Sequence, residues 1–294
     1  MWLLVFICVS TAGAVPIKPS QDATTPATGN VTVISDVLQS ASTESLKAGD
    51  IPLNDTHNVT SPAPGVTVSI MLDPPQRVSA ETLEELQEDM IVQEGDILVT
   101  EDRNAVETLW PDAIVPYTIS AELADRVSNI YTAFRMISDV TCIRFQQHTT
   151  ELNYLKFQNG KGCASFVGCR GGAQTLYYAR SCSVGNLCHE IIHALGLHHE
   201  HTRKDRDQYI TVQWQNIMPG RQKNFNKKRG NTLNLPYDLN SIMHYGQYFF
   251  SQDGSPTVLS KQGKVQMGQR THLSQLDIQR LNRLYHCDER AKTL

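Results

Sequence analysis

Histidine and glutamate are concentrated between residues 189 and 200. On an α-helix, residues four apart share one face, so His189 and His193 would hold their imidazoles side by side and could bind one metal ion. Glu190 would lie about 100° round the helix, where it could accept a proton from a metal-bound water. Gly196 would let the chain leave the helix in a left-handed conformation and return His199 as a third ligand.

Three neutral imidazoles leave one coordination position of Zn²⁺ open, which is typical of a catalytic site and not of a structural one. The sequence therefore predicts one zinc ion bound by His189, His193 and His199, with Glu190 as general base. The alternative interpretation is an amphipathic helix with ordinary polar residues. It requires four side chains and one glycine to match the pattern by chance.

A second segment, residues 241–245, follows His199 by 42 residues and reads Ser-Ile-Met-His-Tyr. Met243 would place an apolar thioether beneath the three imidazoles and so influence their orientation and dielectric environment. The phenol of Tyr245 could reach the metal or the oxyanion of the reaction. The additional histidines His198, His201 and His244 are interpreted as surface or hydrogen-bonded structural residues, because three ligands are already present.

The elements that must position these residues form a mixed pattern. Ser183 can cap the metal-binding helix over residues 184–196, whose buried side would contain Leu187, Ile191, Ala194 and Leu195. Ser120 can cap a helix over residues 121–138, and a C-terminal helix is expected over 276–285. Strands are expected at residues 115–119, 142–146, 154–158 and 171–178. Strands interleaved with long helices predict an α+β fold, followed by an irregular second half.

The N-terminal part has a different composition. Residues 1–14 contain an apolar run and a small-residue site, which predicts a secretory signal peptide; a membrane anchor is the weaker alternative because the run is far short of about 20 residues. Residues 15–75 are polar and contain Asn-x-Thr sequons at Asn30, Asn54 and Asn58, expected to carry glycans on an exposed segment. A short helix is expected over residues 79–91.

Six cysteines remain after the predicted leader: Cys142, Cys163, Cys169, Cys182, Cys188 and Cys287. An even number in a secreted chain implies disulfide bonds, but spacing alone allows fifteen pairings. A cysteine-bound zinc is disfavoured because three histidines already supply a site. A Cys188–His189 nucleophile pair is disfavoured because adjacent residues on a helix point apart.

Charge gives little indication of partners. The net charge of the 294-residue chain is −4, so we expect neither nucleic acid nor a membrane as a partner. The basic run over residues 221–229 is interpreted as a solvated loop, with a patch favouring acidic substrates as the alternative. Arg103 lies in a polar stretch and offers a cleavage site to a trypsin-like protease.

Residues 104–287 closely resemble the catalytic domain of the astacin metalloproteases, a branch of the metzincins. The matching motifs are Leu109-Trp110-Pro111, Val115-Pro116-Tyr117, residues 163–168, Gly171-Gly172-Ala173-Gln174, the zinc helix continued through residues 200–207, Asn224-Phe225-Asn226, Tyr237-Asp238, residues 241–245 and residues 268–285. Glu200 after the third histidine favours astacins over metzincins that have aspartate there. A bare catalytic domain resembles the short astacins of fish, including hatching enzymes.

The resemblance implies two lobes, residues 104–196 and 197–294, about a cleft with zinc at its floor. Residues 172–178 would be the edge strand that pairs with an extended peptide substrate. Tyr245 would be a labile fifth ligand that swings away to stabilise the tetrahedral intermediate. Cys142 would pair with Cys287, and Cys163 with Cys182 or Cys188; we favour Cys163–Cys182, which leaves Cys169–Cys188 as the third bond.

The resemblance also implies a zymogen, with residues 15–103 as the pro-segment and 104–294 as the catalytic domain. Asp96 of Gly95-Asp96 would occupy the position of the water on the zinc, although Gln93 stands where the family has an aromatic residue. Cleavage after Arg103 would free the amino group of Asn104 to pair with Glu200 in a buried ion pair.

Together these observations predict a secreted, monomeric zinc endopeptidase that is activated by a trypsin-like protease and acts on extended peptides or proteins. Digestion of egg envelopes is one expected activity, and general digestion or defence is another. The alternatives are a non-catalytic zinc module that binds peptides, and an inert precursor whose pro-segment is the product.

Overall fold

The computed structural model describes residues 91–99 and 108–291. Several predicted features lie outside these residues: the signal peptide, the sequons at Asn30, Asn54 and Asn58, the helix expected over residues 79–90, and the activation site at Arg103 and Asn104. Among the described residues, no helix combines the length and the apolar character needed to cross a bilayer.

The first described segment is a hairpin. Strands β1 (Ile91–Gln93) and β2 (Ile97–Val99) pair antiparallel through a tight turn over residues 94–96. Glu94 and Gly95 both have positive φ, 53° and 88°, which a glycine accepts without cost and a glutamate does not. Ile91, expected at the end of a helix, therefore lies in a strand.

A five-stranded sheet forms the N-terminal half of the domain. Its strands are β3 (Ile114–Ile119), β4 (Arg144–Gln147), β5 (Tyr154–Gln158), β6 (Cys163–Ala164) and β7 (Ala173–Tyr178), in the order β4-β3-β5-β7-β6. Strands β4, β3, β5 and β7 run parallel to one another, and β6 is antiparallel to β7.

This topology corrects the predicted edge strand. β7, expected at the edge, lies between β5 and β6, because residues 163–164 return and pair with Tyr177 and Tyr178. The short strand β6 is the edge on this side. The residue after it, Ser165, forms a parallel bridge with Ile97 of the hairpin.

Two helices pack against the sheet. The first predicted helix begins as a 3₁₀ segment, Ala121–Arg126, and becomes α1 only at Val127–Ser138; Ser120 makes no side-chain cap. Helix α2 spans Val184–Ala194. Apolar residues of both helices and of the sheet share one buried core that includes Ile130, Phe134, Leu155, Leu187 and Ile191.

Both ends of α2 are fixed by hydrogen bonds. Ser183 and Asn186 form a reciprocal capping box, which satisfies otherwise unpaired N–H groups of the first turn. At the other end, the indole of Trp110 donates to the carbonyl of Ala194 at 2.8 Å, and the hydroxyl of Tyr285 donates to that of Leu195 at 2.9 Å.

Two glycines allow this helix to sit where it does. A Cβ on Gly185 would lie 1.7 Å from the carbonyl oxygen of Arg270, so any larger residue would push the helix away from the chain that crosses it. Gly196 has φ of +109°, as the predicted left-handed exit from the helix requires.

The C-terminal half is mostly irregular, as predicted. It contains the two-stranded pair β8 (Ile210–Val212) and β9 (Val258–Ser260), several 3₁₀ turns, helix α3 (Gln275–Leu284) and the short α4 (Cys287–Arg290). A second apolar core lies here and includes Ile210, Phe225, Tyr237, Tyr245 and Val258. The α+β prediction is confirmed.

The structure contains two disulfide bonds, Cys142–Cys287 and Cys163–Cys182. The third expected bond, Cys169–Cys188, is wrong: both thiols are free and buried. Cys169 follows Gly168, whose N–H binds the carbonyl of His193. Cys188 lies five residues before His193 on α2, about 7.5 Å back along its axis.

Candidate active site

Helix α2 and the chain that follows it bring three imidazoles to one point. Nε2 of His199 lies 3.2 Å from Nε2 of His189 and 3.2 Å from Nε2 of His193. All three side chains are buried. The i, i+4 spacing supplies the first two rings, and the turn at Gly196 returns the third.

The outward nitrogens of these rings fix their tautomers. Nδ1 of His189 lies 2.8 Å from the carbonyl oxygen of Ile242, and Nδ1 of His193 lies 2.7 Å from that of Leu197. A carbonyl only accepts hydrogen bonds, so each Nδ1 carries the proton. Each Nε2 then directs a lone pair into the cluster, which is the form that binds a metal.

The hairpin of residues 91–99 supplies a fourth group. Oδ2 of Asp96 lies 3.1 Å from Nε2 of His199 and 3.3 Å from Nε2 of His189. Oδ1 of Asp96 is buried and has no hydrogen-bond partner among the described residues. A carboxylate is therefore aimed at three imidazole lone pairs, an arrangement that a cation would stabilise.

The donor set fits zinc. The ligand atoms of Asp96, His189, His193 and His199 all lie within 4.8 Å of one another. In a tetrahedral site with ligand bonds of 2.0–2.1 Å, neighbouring donor atoms lie about 3.3 Å apart. Four of the measured separations are 3.1 to 3.3 Å. Nitrogen and oxygen donors at this spacing suit Zn²⁺.

Glu190 lies next to the first histidine on α2 and is fully buried, with an exposed fraction of 0 %. Met243 is also buried, at 1 %. The segment around Met243 contacts the cluster through Ile242, whose carbonyl accepts from His189. The carbonyl of Met243 accepts the N–H of Glu200 at 2.9 Å, which ties this segment to the chain after His199.

Asp277 of α3 holds this segment in place, a role that the sequence analysis did not assign. Its Oδ1 accepts from Ser241 Oγ at 2.6 Å, and its Oδ2 accepts the N–H of Ile242 at 2.9 Å. Burial raises the pKa of Asp277. The aspartate at the third position of a Ser-x-x-Asp helix start gave a capping signal but no signal for this long-range contact.

Tyr245 lies against the cluster without being directed at it. Its ring stacks on His201 with centroids 3.6 Å apart, and its centroid is 4.8 Å from that of His199. Its hydroxyl donates to the carbonyl oxygen of Glu94 in the hairpin. The predicted placement of the phenol as a metal ligand is therefore not seen in this form of the chain.

Glu94 of the hairpin contacts three elements around the site, and no sequence motif pointed to it. One carboxylate oxygen lies 2.7 Å from Nδ1 of His199, and the other lies 2.5 Å from Nζ of Lys228. Burial opposes its ionisation, but His199 and Lys228 more than offset this and hold the pKa of Glu94 well below its usual range. Its N–H donates to Oδ1 of Asn224 at 3.2 Å.

The hairpin also forms main-chain hydrogen bonds along the sheet edge. The N–H of Ser165 donates to the carbonyl of Asp96 at 2.9 Å, and the N–H of Leu98 donates to the carbonyl of Ser165 at 2.8 Å. The turn at residues 94–96 thus lies against the histidine cluster, and β2 continues from it beside Ser165. The edge that accepts it is Ser165, and not the predicted residues 172–178.

Glu200 is buried at 3 % exposure and is held by two arginines. Its Oε1 lies 2.7 Å from Arg280 and 3.2 Å from Arg203, and it accepts the N–H of Asp238 at 2.7 Å. A cavity of about 380 Å³ borders Glu200, and its other lining residues include Lys228, Arg229 and Thr232. Asn104, its predicted partner, lies outside the described residues.

The additional histidines have structural contacts. Nε2 of His201 lies 3.0 Å from the carbonyl of Asn224, and His244 bonds both Tyr237 and the carbonyl of Tyr245 at 2.8 Å. Burial lowers the pKa of His244 to about 4. Of the basic run 221–229, Lys227 is exposed and pairs with Asp207, whereas Lys228 is drawn to Glu94.

Known proteins match the part of the chain that contains this site. A profile of the Astacin family (Peptidase family M12A) matches residues 102–286. High choriolytic enzyme 1 of Oryzias latipes is 39% identical over 216 residues, covering 68% of this chain and 79% of the relative. Zinc metalloproteinase nas-14 of Caenorhabditis elegans is 36% identical over 234 residues, and Embryonic protein UVS.2 of Xenopus laevis is 41% identical over 208.

The matches to the last two relatives include 74% and 67% of this chain, respectively. They span less than half of the relatives themselves, 46% and 40% of their lengths. Among solved structures, High choriolytic enzyme 1, a hatching enzyme zinc-protease from Oryzias latipes, superposes with a TM-score of 0.59 at 38% identity. That match covers 65% of this chain and 100% of the other. The chain belongs to the astacin family of peptidases.

Proposed function

We propose that this chain is a secreted zinc endopeptidase made as a zymogen. The observation that carries the proposal is the cluster of three buried imidazoles completed by a carboxylate from the preceding hairpin. Nε2 lone pairs and one removable carboxylate are the ligand set that a catalytic zinc site needs, because one position must become open.

The proposed roles follow from the geometry. Bound by His189, His193 and His199, Zn²⁺ would acidify a water molecule and polarise the scissile carbonyl. Glu190, adjacent to the first ligand, would accept the water's proton and deliver it to the leaving nitrogen. The phenol of Tyr245, once released from Glu94, would donate to the oxyanion; one such donor typically contributes about 3–4 kcal/mol.

Latency is proposed to depend on residues 94–98. Asp96 fills the position that the water would take, and Glu94 engages His199, Lys228 and Tyr245. We propose residues 15–103 as the pro-segment and a trypsin-like cut after Arg103. The new amino group of Asn104 would enter the cavity beside Glu200, where a buried charge is costly unless an opposite charge accompanies it.

Substrate and location are proposals of the same kind. An extended peptide would replace residues 94–98 along Ser165, since main-chain groups there already bind a strand. The similarity to a hatching enzyme favours proteins of the egg envelope, with other extracellular proteins as alternatives. The leader at residues 1–14 and the sequons at Asn30, Asn54 and Asn58 support secretion.

The deciding experiment is proteolysis by the purified chain. Trypsin-treated zymogen is expected to cleave casein, to stop when a chelator removes the metal, and to recover when Zn²⁺ is returned. A zinc-loaded, trimmed protein that binds peptides without cleaving them would instead indicate a non-catalytic peptide-binding module. Loss of the catalytic domain after trimming, with a stable pro-segment, would indicate an inert precursor.

A further inference from the structure

We infer that Asn224 is a positioning residue that binds the main chain of one substrate residue in the cleft. The inference rests on the proposed peptidase function and names a substrate contact that the metal site alone does not supply. Asn224 lies in the 3₁₀ segment Gln222–Phe225 of the C-terminal half and is 3 % exposed.

The carboxamide of Asn224 already holds a peptide group. Its Oδ1 accepts the main-chain N–H of Glu94 at 3.2 Å. Glu94 precedes Asp96 by two residues, and Asp96 marks the metal position. On the other side of Asp96, Ser165 bonds the main chain of Asp96 and Leu98. Main-chain contacts therefore flank the metal on both sides.

The carboxamide is only half used in this form. Its Nδ2 is buried and has no hydrogen-bond partner among the described residues. A buried N–H₂ group without an acceptor carries a free-energy cost, because it gives up its hydrogen bonds to water. Such a cost in a native structure calls for an explanation, and a missing ligand is one.

The backbone of Glu94 explains why Nδ2 lacks a partner. Glu94 adopts a left-handed conformation, with φ of 53°, so its carbonyl is directed to the hydroxyl of Tyr245. In an extended strand, by contrast, the N–H and C=O of one residue point to the same side and bond the same partner. An extended substrate residue would therefore present an acceptor to Nδ2 and a donor to Oδ1 together.

The anchoring of Asn224 suits this role. Its own carbonyl oxygen lies 3.0 Å from Nε2 of His201, and His201 in turn stacks on Tyr245. The carboxamide is thus fixed relative to the phenol that we assign to the oxyanion. Because it contacts only main-chain atoms, it would place an extended peptide without selecting its side chains, and it would disfavour proline at that position.

The test is an ester scan of a fluorogenic peptide cleaved by the activated enzyme. At each position other than the scissile bond, one amide N–H is replaced by an ester oxygen, which removes a single donor. In the wild type, the ester should raise KM at a single peptide position, on the side of the scissile bond opposite to Ser165. The expected rise is roughly 2- to 12-fold, the range of one net hydrogen bond.

In Asn224→Leu, which removes both polar atoms, KM for the all-amide peptide should rise, and the ester at that position should cost nothing further. Asn226→Leu is the matched control, because Asn226 is exposed two residues away; it should retain the wild-type ester penalty. A penalty that persists in full in Asn224→Leu overturns the inference, because a purely structural residue would not couple to one substrate N–H.

Zinc content and thermal unfolding of each variant are measured first. If Asn224→Leu does not fold, Asn224→Asp replaces it, since it keeps the acceptor but loses the donor. It should retain the ester penalty and raise KM for every peptide; an unchanged KM overturns the role of Nδ2. A wild type that cleaves no peptide would refute the peptidase proposal, which is a different result from cleavage without the coupling.

Discussion

The hydroxyl of Tyr245 donates to the carbonyl oxygen of Glu94, two residues before the carboxylate that completes the histidine cluster. One short segment therefore engages both the proposed metal and the proposed oxyanion donor. Its removal would open a coordination position and free the phenol in one event. In the proposed zymogen, latency and catalysis would therefore be coupled through this one segment.

Asp96→Ala tests the latch. Without this carboxylate, the uncut zymogen should cleave casein before any trypsin treatment, because one position on the metal is open to water. Activity should remain below that of the trimmed enzyme, since Glu94 still binds His199 and Lys228. Glu122→Ala, at an exposed acidic residue, should stay latent. A fully latent Asp96→Ala would contradict the proposed role.

Glu190→Ala tests the general base. His189 and His193 keep their carbonyl partners in this variant, so zinc content should match the wild type. Activity should fall by at least about two to four orders of magnitude, the usual contribution of positioned proton transfer. Metal analysis and peptide hydrolysis are measured on one preparation. Full activity in a zinc-loaded variant would refute the mechanism.

Tyr245→Phe tests the oxyanion donor. The ring should keep its stacking on His201, while the hydroxyl is lost. We expect kcat to fall by about 10²–10³ with KM little changed, because the bond would form only in the transition state. The same variant should also weaken latency, since the contact to Glu94 disappears. A variant in which only KM changes, with kcat equal to that of the wild type, would contradict this assignment.

The buried His244 predicts a pH dependence of stability. Burial lowers its pKa from 6.5 to about 4, so the unfolded chain binds the proton more readily. Its contribution is fully present above pH 6.5 and is lost as the pH falls towards 4. Urea unfolding of the zymogen and of His244→Asn should differ by an amount that changes by up to about 3 kcal/mol over this range. If the difference in unfolding free energy between the two proteins did not change with pH, the assigned role of His244 would be contradicted.

The free cysteines predict a thiol count. After removal of the leader, a thiol-reactive disulfide reagent should titrate two thiols in the unfolded chain. In the native protein neither should react rapidly, because Cys169 and Cys188 are buried and burial raises the pKa of both thiols. Cys188→Ala should keep the fold, whereas Cys142→Ala should lower stability by about 2–5 kcal/mol. If the unfolded chain contained no reactive thiol, Cys169 and Cys188 would be joined by a disulfide bond, and this prediction would be wrong.

The sequence predicted the elements that local chemistry specifies. Ser183 begins α2 because its hydroxyl can cap the helix, and Gly196 ends it because few other residues accept its φ. The spacing of His189 and His193 follows from the helical repeat alone. Ser120 was expected to cap an α-helix, but a 3₁₀ segment follows it, and a cap residue alone does not distinguish the two.

Other features depended on contacts between distant residues, which no local pattern encodes. The return of residues 163–164 onto β7 decided which strand lies at the edge. The fold also left Cys169 and Cys188 as two separate buried thiols. Glu94, Asn224 and Lys228 lie up to 134 residues apart, yet they meet beside His199.

The sequence by itself therefore determined the three histidines proposed as metal ligands, the helix that carries two of them and the family, because these depend on residue type and short-range periodicity. The tertiary structure decided what surrounds the ligands: which edge binds a strand, what holds Tyr245, and which carboxamide faces the backbone of the hairpin. Those relationships depend on how the two halves of the domain pack, and packing is set by the whole chain at once.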